Sequence, residues 1–355
     1  MTAKLTLDTY RTLGRSGLRV SPLALGTMTF GTSWGWGSDR DEARKVFDIY
    51  VERGGNFIDT ASMYTGGESE QLLGEFTADN REALVLATKY TMLRNPADPN
   101  SGGNHRKSLT GAVEASLRNL RTDYIDVLYL HAWDFLTPVE EVLRGLDDVV
   151  RAGKVLYVAI SDTPAWQVSR MQAIADLRGW SPLIALQIPY SLIERTVERD
   201  LIPMARELGL GVVPWSPLGS GVLTGKYSRA DLDHTAAASA VGTRKNVAAG
   251  NGSLTERALD IADVVGAVAA ELGATPAQVA LAWTLRNPAV TAPIIGARTP
   301  DQLEDNLGAL DVEFTAAHLA RLDEAGAVEL GFPHDFLALP LTRSVTFGDL
   351  KVQNS

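Results

Sequence analysis

Four polar side chains of types suited to proton transfer stand at or near the ends of short apolar runs. Asp59 ends the run NFID, Lys89 ends ALVLATK and His131 ends IDVLYLH. Tyr64 lies in the segment that follows Asp59. If the three runs are neighbouring parallel strands of a barrel, their carboxyl ends meet on one face, where such barrels build their active sites. We therefore predict that the four side chains form a single site.

The chemistry that these side chains share is proton donation to an oxygen atom. A tyrosine has a pKa near 10, and an adjacent ammonium favours its phenolate form, so Lys89 is expected to lower the pKa of Tyr64 toward neutrality. Asp59 would keep Lys89 charged and oriented, and His131 would position a substrate oxygen by hydrogen bonding. Taken singly, each residue also has a structural explanation, as a helix cap, a rim side chain, a solvated lysine or a core histidine.

Eight apolar runs are expected to form buried parallel strands, because they are apolar nearly throughout rather than alternating. They are SPLALG (21–26), NFID (56–59), ALVLATK (83–89), IDVLYLH (125–131), KVLYVAIS (154–161), LIALQI (183–188), GVVPWS (211–216) and TAPIIG (291–296). Segments of helical periodicity that begin with Ser, Thr or Asp separate them. This alternation predicts an α/β fold, a (β/α)8 TIM barrel that occupies residues 1–355 as a single domain.

Three further segments have expected roles in that barrel. Two short runs around Gly14 to Gly17 are typical of an N-terminal β-hairpin, which would close the lower end of the barrel. Residues 219–252, rich in Gly and Ala, are expected to be a loop that orders when a ligand binds. Residues 330–355 would form a C-terminal tail that is either packed or flexible.

Composition excludes several functional classes. The 355-residue chain has a net charge of -10 and no basic run, which argues against nucleic-acid binding. It has no cysteine, and its five histidines lack metal-ligand spacing, so no metal site is expected. No apolar run is long enough to span a membrane, and residues 1–15 do not resemble a signal peptide, so a cytoplasmic location is expected. Oligomeric state is left open.

Two common phosphate-binding motifs are absent. No GxGxxG follows a strand, and the segment from Gly219 to Lys226 has the wrong spacing for a P-loop and is followed by Tyr227. On the residues alone, Lys226 is better explained as a solvated loop lysine, and Gly219 and Gly221 as turn residues. Any phosphate would have to be held by other groups.

Several longer motifs are similar to those of the aldo-keto reductases. They are GTMTFG (26–31), FIDTASMYTGGESEQLLGE (57–75), LATKY (86–90), IDVLYLH (125–131), WSPLGSGVLTGKY (215–227) and IIGARTPDQLEDN (294–306). The likeness runs from residue 10 to about residue 324. The WSPL and TGKY patterns resemble the bacterial general-stress and potassium-channel β-subunit-like branch of that family.

The resemblance implies reduction of a small-molecule aldehyde or ketone by NADPH, with Tyr64 as the acid and with Asp59, Lys89 and His131 around it. It also implies a cofactor site along the top of the barrel. The implied cofactor-binding residues are Gly26, Thr27, Met28, Asp59, Ser161, Asp162, Gln187, Trp215, Ser216, Pro217, Leu218, Gly219, Ser220, Gly221, Lys226, Gly296, Arg298, Gln302, Asp305 and Asn306. The family often has Asn where this chain has Asp162, which accepts hydrogen bonds but, when ionised, donates none.

The substrate pocket is expected to be built from aromatic residues on loops above the strand ends. They are Phe30, Trp34, Trp36, Tyr90 and Trp133. Such a lining suits an apolar or aromatic carbonyl compound, although each ring could instead pack one loop on another.

Two other functions compete with carbonyl reduction. The chain could be a regulatory subunit that binds the cofactor as a signal and turns over slowly. It could also be a Schiff-base aldolase, with Lys89 as the nucleophile, if burial depressed the pKa of that lysine. Asp59 argues against the aldolase because it would keep Lys89 protonated.

Overall fold

The strands are short and occur where the apolar runs predict them. The structure, a computed structural model, describes residues 5–232 and 243–350. The strands are β1 (Arg11–Thr12), β2 (Arg19–Val20), β3 (Ala24–Gly26), β4 (Phe57–Asp59), β5 (Val85–Tyr90), β6 (Ile125–Leu130), β7 (Val155–Ser161), β8 (Leu183–Pro189), β9 (Gly211–Trp215) and β10 (Ile294–Gly296). All eight predicted parallel strands are therefore present.

The eight strands from β3 to β10 form one parallel sheet in the order β10-β3-β4-β5-β6-β7-β8-β9. The register places Asp59 beside Ala87, and Lys89 beside Tyr129. Between β9 and β10 the backbone of Val212 pairs with Val290, just before β10 begins. The sheet thus curls into a nearly closed barrel, which confirms the (β/α)8 prediction.

Helices cover the outside of this sheet. They are α1 (Arg40–Glu52), α2 (Glu68–Phe76), α3 (Arg106–Leu120), α4 (Val139–Arg151), α5 (Ala165–Arg178), α6 (Leu201–Leu208), α7 (Arg244–Gly250), α8 (Glu256–Leu272), α9 (Pro276–Leu285), α10 (Pro300–Leu307), α11 (Ala316–Ala325), α12 (His334–Ala338) and α13 (Pro340–Phe347). In α4 the apolar positions Val142, Leu146 and Val149 are buried, as helical spacing requires.

The predicted caps hold for some helices and not for others. Asp39 caps α1 by accepting from the backbone N–H of Glu42, and Thr275 forms a capping box with Gln278 at α9. Helix α3 is capped by the side chain of His105, which is not one of the Ser, Thr or Asp residues predicted as caps. The side chain of Pro138, at the start of α4, provides no cap. Helix starts depend on backbone geometry that residue type alone does not determine.

The N-terminal hairpin β1–β2 is present and lies against the lower end of the barrel. Leu13 and Val20 are fully buried and pack with Phe57 and Val85, which open β4 and β5. Gly14 adopts a left-handed conformation, and a Cβ there would meet the carbonyl oxygen of Ile184 at 2.1 Å. Only glycine fits this close approach of hairpin to barrel.

Residues 219–252 contain more regular structure than the predicted loop. Residues Gly219–Thr224 form a 3-10 turn, and α7 follows later in the segment. Residues 233–242 lie outside the described part of the chain, so the expectation of ordering on binding stays a prediction.

The tail contains α12 and α13, whose apolar side chains are largely exposed. Among the described residues no single helix has the length and hydropathy needed to cross a membrane. Helices α8 and α9 meet that test only when taken together, across a 97° bend.

Replacement of Leu13 by alanine tests the contribution of the hairpin. Leu13 is fully buried, so Leu13→Ala should lower the free energy of unfolding by about 2 to 5 kcal/mol, measured by urea denaturation. The same change at Leu177, which is 86% exposed, should alter it by less than about 0.5 kcal/mol. Equal effects of the two substitutions would show that the hairpin does not stabilise the barrel.

Candidate active site

A buried ion pair lies at the centre of the barrel's upper face. Asp59 is the last residue of β4, and Lys89 is the penultimate residue of β5. Lys89 Nζ lies 2.5 Å from Asp59 Oδ1, and both side chains are almost completely buried. Gln187, on β8, donates to the other carboxylate oxygen of Asp59 at 2.8 Å. The carboxylate is therefore held from two sides.

The ammonium group of Lys89 has three acceptors, one for each of its protons. Besides Asp59, Nζ donates to the carbonyl oxygen of Thr60 at 2.7 Å and to the hydroxyl of Tyr64 at 3.3 Å. Burial works against the charged form, but the Asp59 carboxylate and the Tyr64 oxygen outweigh it and raise the pKa of Lys89. Lys89 therefore stays protonated and fixed in direction.

Tyr64 opens the short 3-10 turn Tyr64–Gly67, and its hydroxyl faces a pocket. Because its oxygen accepts from Lys89, its own proton is available to another acceptor. Burial raises the pKa of Tyr64, even though the charge of Lys89 acts in the opposite direction. The predicted lowering of this pKa is thus wrong in its net direction, because loss of solvation outweighs the lysine. Tyr64 keeps its proton until an acceptor arrives.

His131 directly follows β6 and completes the group. Its ring lies edge-on to that of Tyr64, with the centroids 6.1 Å apart and the planes at 78°. Burial, together with the nearby Lys89 charge, lowers the pKa of His131 to about 3. The Nδ1 atom is buried and has no hydrogen-bond partner among the described residues. A neutral imidazole here can bind an oxygen atom without competing for the proton of Tyr64.

Asp59, Tyr64 and His131 face a cavity of about 660 Å³, a volume typical of small-molecule sites, and Lys89 lies behind them without lining it. It extends from the ion pair across the ends of β7, β9 and β10 to the start of α10. The predicted residues that line it are Gly26, Met28, Trp34, Asp59, Tyr64, His131, Ser161, Asp162, Gln187, Trp215, Ser216, Pro217, Leu218, Ser220, Gly221, Lys226, Gly296, Arg298, Gln302, Asp305 and Asn306.

Two residues predicted to contact the cofactor do not line the cavity. Thr27 is fully buried and donates its hydroxyl proton to the carbonyl oxygen of Asp59 at 3.0 Å. Its side chain therefore stabilises the end of β4 and does not face the cavity. Gly219 faces the side chain of Ile193, where a Cβ would lie within 2.2 Å of a carbon atom. For these two, the structure indicates a role in packing.

Four of the five aromatic residues predicted for the substrate pocket are also placed elsewhere. Phe30 is buried against Phe76, and Tyr90 is buried and donates to the carbonyl oxygen of Asn104. Trp36 packs on Trp34, with the ring centroids 5.7 Å apart, and Trp133 packs on the outer core. These four rings do not line the described cavity, because loop aromatics bury their surface wherever packing allows and residue type does not specify the direction of a side chain.

Trp34 alone of that set lines the cavity, with its ring edge-on to Tyr64 at 6.3 Å. Several lining residues were not predicted. They are Thr29, Met63, Met92, Thr224, Ala277, Ile294 and Ile295. Met63 and Met92 lie next to predicted site segments, and this position was the signal that could have identified them as lining residues. Their residue type gave no such signal, since methionine is more typical of a core than of a pocket.

The far end of the cavity is built by the loop between β10 and α10. The backbone N–H of Arg298 donates to Gln302 Oε1 at 3.0 Å, and Asn306 donates to the carbonyl oxygen of Gly296 at 3.2 Å. Asp305 Oδ1 accepts from Thr275 and Gln278. Asp305 thus joins α10 to α9, and one of its oxygens is already engaged.

The donor set of this cavity fits a nicotinamide dinucleotide. Ser161 Oγ is buried, lines the cavity and has no hydrogen-bond partner among the described residues, so it is available to an amide group. Trp215 offers an aromatic face, and Lys226 and Arg298 provide positive charge toward the other end. The described residues contain no cluster of His, Cys, Asp or Glu that could hold a metal ion.

The fold and the site together define a barrel oxidoreductase, and the chain belongs to the Aldo/keto reductase family, whose model matches residues 22–327. It is similar to a norsolorinic acid reductase of Aspergillus flavus, at 38% identity over 95% of this chain and 86% of that protein. It is also similar to an aryl-alcohol dehydrogenase of Pestalotiopsis microspora, at 38% identity over 94% of this chain and 86% of that protein.

A norsolorinic acid reductase of Emericella nidulans is 40% identical over 91% of this chain and 82% of its own length. The family prediction is confirmed. These relatives are fungal reductases and a dehydrogenase, and they give no support to the potassium-channel β-subunit-like branch, which stays a prediction together with the cytoplasmic location.

The ion pair yields a prediction about stability. Lys89→Met leaves the Asp59 carboxylate buried without its cation, so the free energy of unfolding should fall by about 3 to 5 kcal/mol in urea denaturation. Adding Asp59→Asn removes that charge and should recover more than about 1 kcal/mol of the loss.

The exposed pair Arg53–Glu304 provides the control, since Arg53→Met should cost less than about 1 kcal/mol. If the losses from Lys89→Met and Asp59→Asn simply add, the two groups are not energetically coupled, and the proposed pairing is wrong.

Proposed function

We propose that this protein reduces aldehydes or ketones to alcohols with NADPH, and that Tyr64 is the general acid. The observation that carries the proposal is the hydrogen bond from Lys89 to Tyr64, which occupies the phenol oxygen as an acceptor and leaves its proton for the cavity. The relatives are named as reductases and as an alcohol dehydrogenase, which supports the same reaction class.

Each side chain then has a defined part in the reaction. His131, neutral because of its low pKa, donates a hydrogen bond to the substrate carbonyl oxygen and places it near the Tyr64 hydroxyl. NADPH, if held by Ser161, Trp215 and Arg298, would supply the hydride to the carbonyl carbon. Tyr64 gives its proton to the oxygen, and Lys89 stabilises the negative charge that develops on the phenol oxygen. Asp59 keeps the ammonium in place throughout.

Preference for NADPH over NADH is supported by the charge at the far end of the cavity. Arg298 lies just before Thr299, the N-terminal cap of α10, where the helix dipole disfavours a cation. An anionic partner would offset that unfavourable placement, and a 2'-phosphate matches the planar donors of a guanidinium.

An aromatic carbonyl compound is the substrate class that the lining favours. Trp34 lies edge-on to Tyr64, and Met63 and Met92 add flexible apolar surface beside it. One relative is named for aryl alcohols, which agrees with an aromatic substrate.

A regulatory subunit with slow turnover is the alternative, and it shares the cofactor site but not the need for a proton donor. A fluorescence titration with NADPH and NADH, followed by a panel of aryl and alkyl aldehydes, distinguishes the two functions. Turnover of an aryl aldehyde at more than about 1 s⁻¹ supports the enzyme. Tight binding of NADPH without consumption of any aldehyde supports the regulator.

Replacement of Tyr64 by phenylalanine tests the general acid. Tyr64→Phe keeps the ring and deletes the proton, so kcat should fall by about 10²- to 10⁴-fold, while the Kd for NADPH changes by less than about twofold. Tyr10→Phe makes the same chemical change at an exposed residue and should leave kcat unaltered. Near-normal turnover by Tyr64→Phe would remove Tyr64 from the mechanism.

Replacement of Arg298 tests cofactor choice. Arg298→Ala should raise the Kd for NADPH by about ten- to a hundredfold, the equivalent of a hydrogen bond to a charged group, and leave that for NADH almost unchanged. Arg298→Lys keeps the charge without the planar donors and should give an intermediate loss. Equal losses for both cofactors, or a parent protein that prefers NADH, would contradict the assignment.

A further inference from the structure

Asn104 joins the two loops that follow β5 and β6. It is fully buried and does not line the described cavity. Its side-chain amide donates to Thr91 Oγ1 at 3.0 Å and to the carbonyl oxygen of Ala132 at 2.9 Å. Its Oδ1 accepts from the backbone N–H of Asp134 at 2.8 Å, and its own backbone N–H donates to the Asp134 carboxylate, also at 2.8 Å. We call Thr91, Asn104 and Asp134 the loop clasp.

The loop clasp holds the backbone on both sides of the His131 ring. The backbone N–H of His131 donates to Thr91 Oγ1 at 3.3 Å and to the carbonyl oxygen of Tyr90 at 3.1 Å. Ala132, whose carbonyl oxygen accepts from Asn104, is the next residue. The ring has no hydrogen-bond partner at Nδ1 among the described residues, so its direction depends on the backbone that carries it and on packing.

Thr91 is held in a strained conformation. Its backbone is left-handed, with φ at +106°, which is unfavourable for a β-branched residue. Such strain persists only where surrounding contacts impose it, and it is concentrated at functional sites. Here the carbonyl oxygen of Thr91 accepts from the N–H of Gly103 at 2.7 Å, and its hydroxyl oxygen accepts from Asn104.

The side chain of Thr91 explains why a strained residue stands at this place. A glycine would adopt the same backbone without strain, but it would offer no hydroxyl to the N–H of His131. The residue after it, Met92, lines the cavity. The loop clasp thus fixes two neighbours of the bound substrate from outside the cavity.

We propose that Asn104 and Thr91 are positioning residues for the reduction proposed above, on which this inference rests. They set the place of His131, and thereby of the substrate oxygen that its ring binds, without contacting the substrate themselves. Asp134 gives the loop clasp a firm base, because its Oδ1 accepts from the backbone N–H groups of Leu136 and Thr137, each at 2.9 Å.

Replacement of Asn104 by alanine opens the loop clasp. With an aryl aldehyde, kcat should fall by about ten- to a hundredfold, because misplacement by about 1 Å has an effect of that order. KM should rise about two- to tenfold, the equivalent of one weakened hydrogen bond to the substrate. The Kd for NADPH, measured by fluorescence, should stay within about twofold of the parent value, since the loop clasp does not line the cavity.

Two changes at Thr91 separate positioning from stability. Thr91→Gly relieves the strained backbone and deletes the hydroxyl, so its Tm should stay within about 4 °C of the parent value while kcat falls as in Asn104→Ala. Thr91→Ser keeps the hydroxyl and should retain kcat within about threefold. A threonine with a merely structural role would instead lose Tm and leave the kcat of the folded protein unchanged.

The ring signals of His131 report its position without any turnover. They are recorded by NMR on protein with isotopically labelled histidine and are identified by their loss in His131→Asn. The Tyr64 ring lies edge-on to that of His131, with the centroids 6.1 Å apart, so a displaced histidine experiences a different ring current. The signals should move in Asn104→Ala and Thr91→Gly and return in Thr91→Ser.

Asn56 offers a matched control at the lower end of the barrel. Its Oδ1 accepts from the backbone N–H and the hydroxyl of Ser21, and its amide donates to the carbonyl oxygen of Arg19. Asn56→Ala therefore removes a comparable set of hydrogen bonds far from His131. It should lower Tm but leave kcat within about twofold and the His131 signals in place.

Parental kcat in Asn104→Ala and Thr91→Gly, or unmoved His131 signals in them, overturns this inference and leaves the proposed reductase intact. An equal loss of kcat in Asn56→Ala does the same, because it would indicate a general response to lost stability. A parent protein that reduces no carbonyl compound overturns the proposed function and this inference with it.

Discussion

The buried ion pair of Lys89 and Asp59 is the constraint on which the arrangement of the site depends. A charged ammonium in the interior needs a counter-charge and acceptors for all its protons, and here the ends of two adjacent strands and the following loop supply them. Tyr64 is positioned as one of those acceptors. The direction of its hydroxyl is thus a consequence of satisfying the lysine, so the protein itself sets the geometry of this group of side chains.

The barrel makes this constraint possible because it brings side chains from distant parts of the sequence to one face. Asp59, Lys89 and Gln187 come from three strands, and Gln187 holds Asp59 from the side opposite Lys89. Replacing solvent with fixed dipoles also explains the different pKa shifts in one small volume. Burial raises the pKa of Tyr64 and lowers that of His131, because in each case it favours the uncharged form.

Much of this arrangement could be predicted from the sequence, and the remainder could not for physical reasons. Apolar runs mark buried strands, so the barrel and the positions of Asp59, Lys89 and His131 at strand ends followed directly. Loop side chains such as Phe30 and Trp34 are both aromatic and only four positions apart in sequence, yet one enters the core and the other lines the cavity. Loop conformation decides that outcome. The net pKa shift of Tyr64 likewise depends on how much solvent is excluded, which sequence does not report.

The hairpin that packs Leu13 into the base of the barrel has a consequence for how ligands enter and leave the site. With the base covered, the described cavity lies on the upper face of the barrel, where residues at the carboxyl ends of the strands line it. If ligands enter only from that face, a ligand in the inner position must bind first and leave last. In the reduction proposed above, a nicotinamide ring at the inner position would therefore require a fixed order, in which the alcohol leaves before the oxidised cofactor. The hairpin residues, at the opposite end of the barrel from the site, would thereby help to determine the order in which ligands bind and leave.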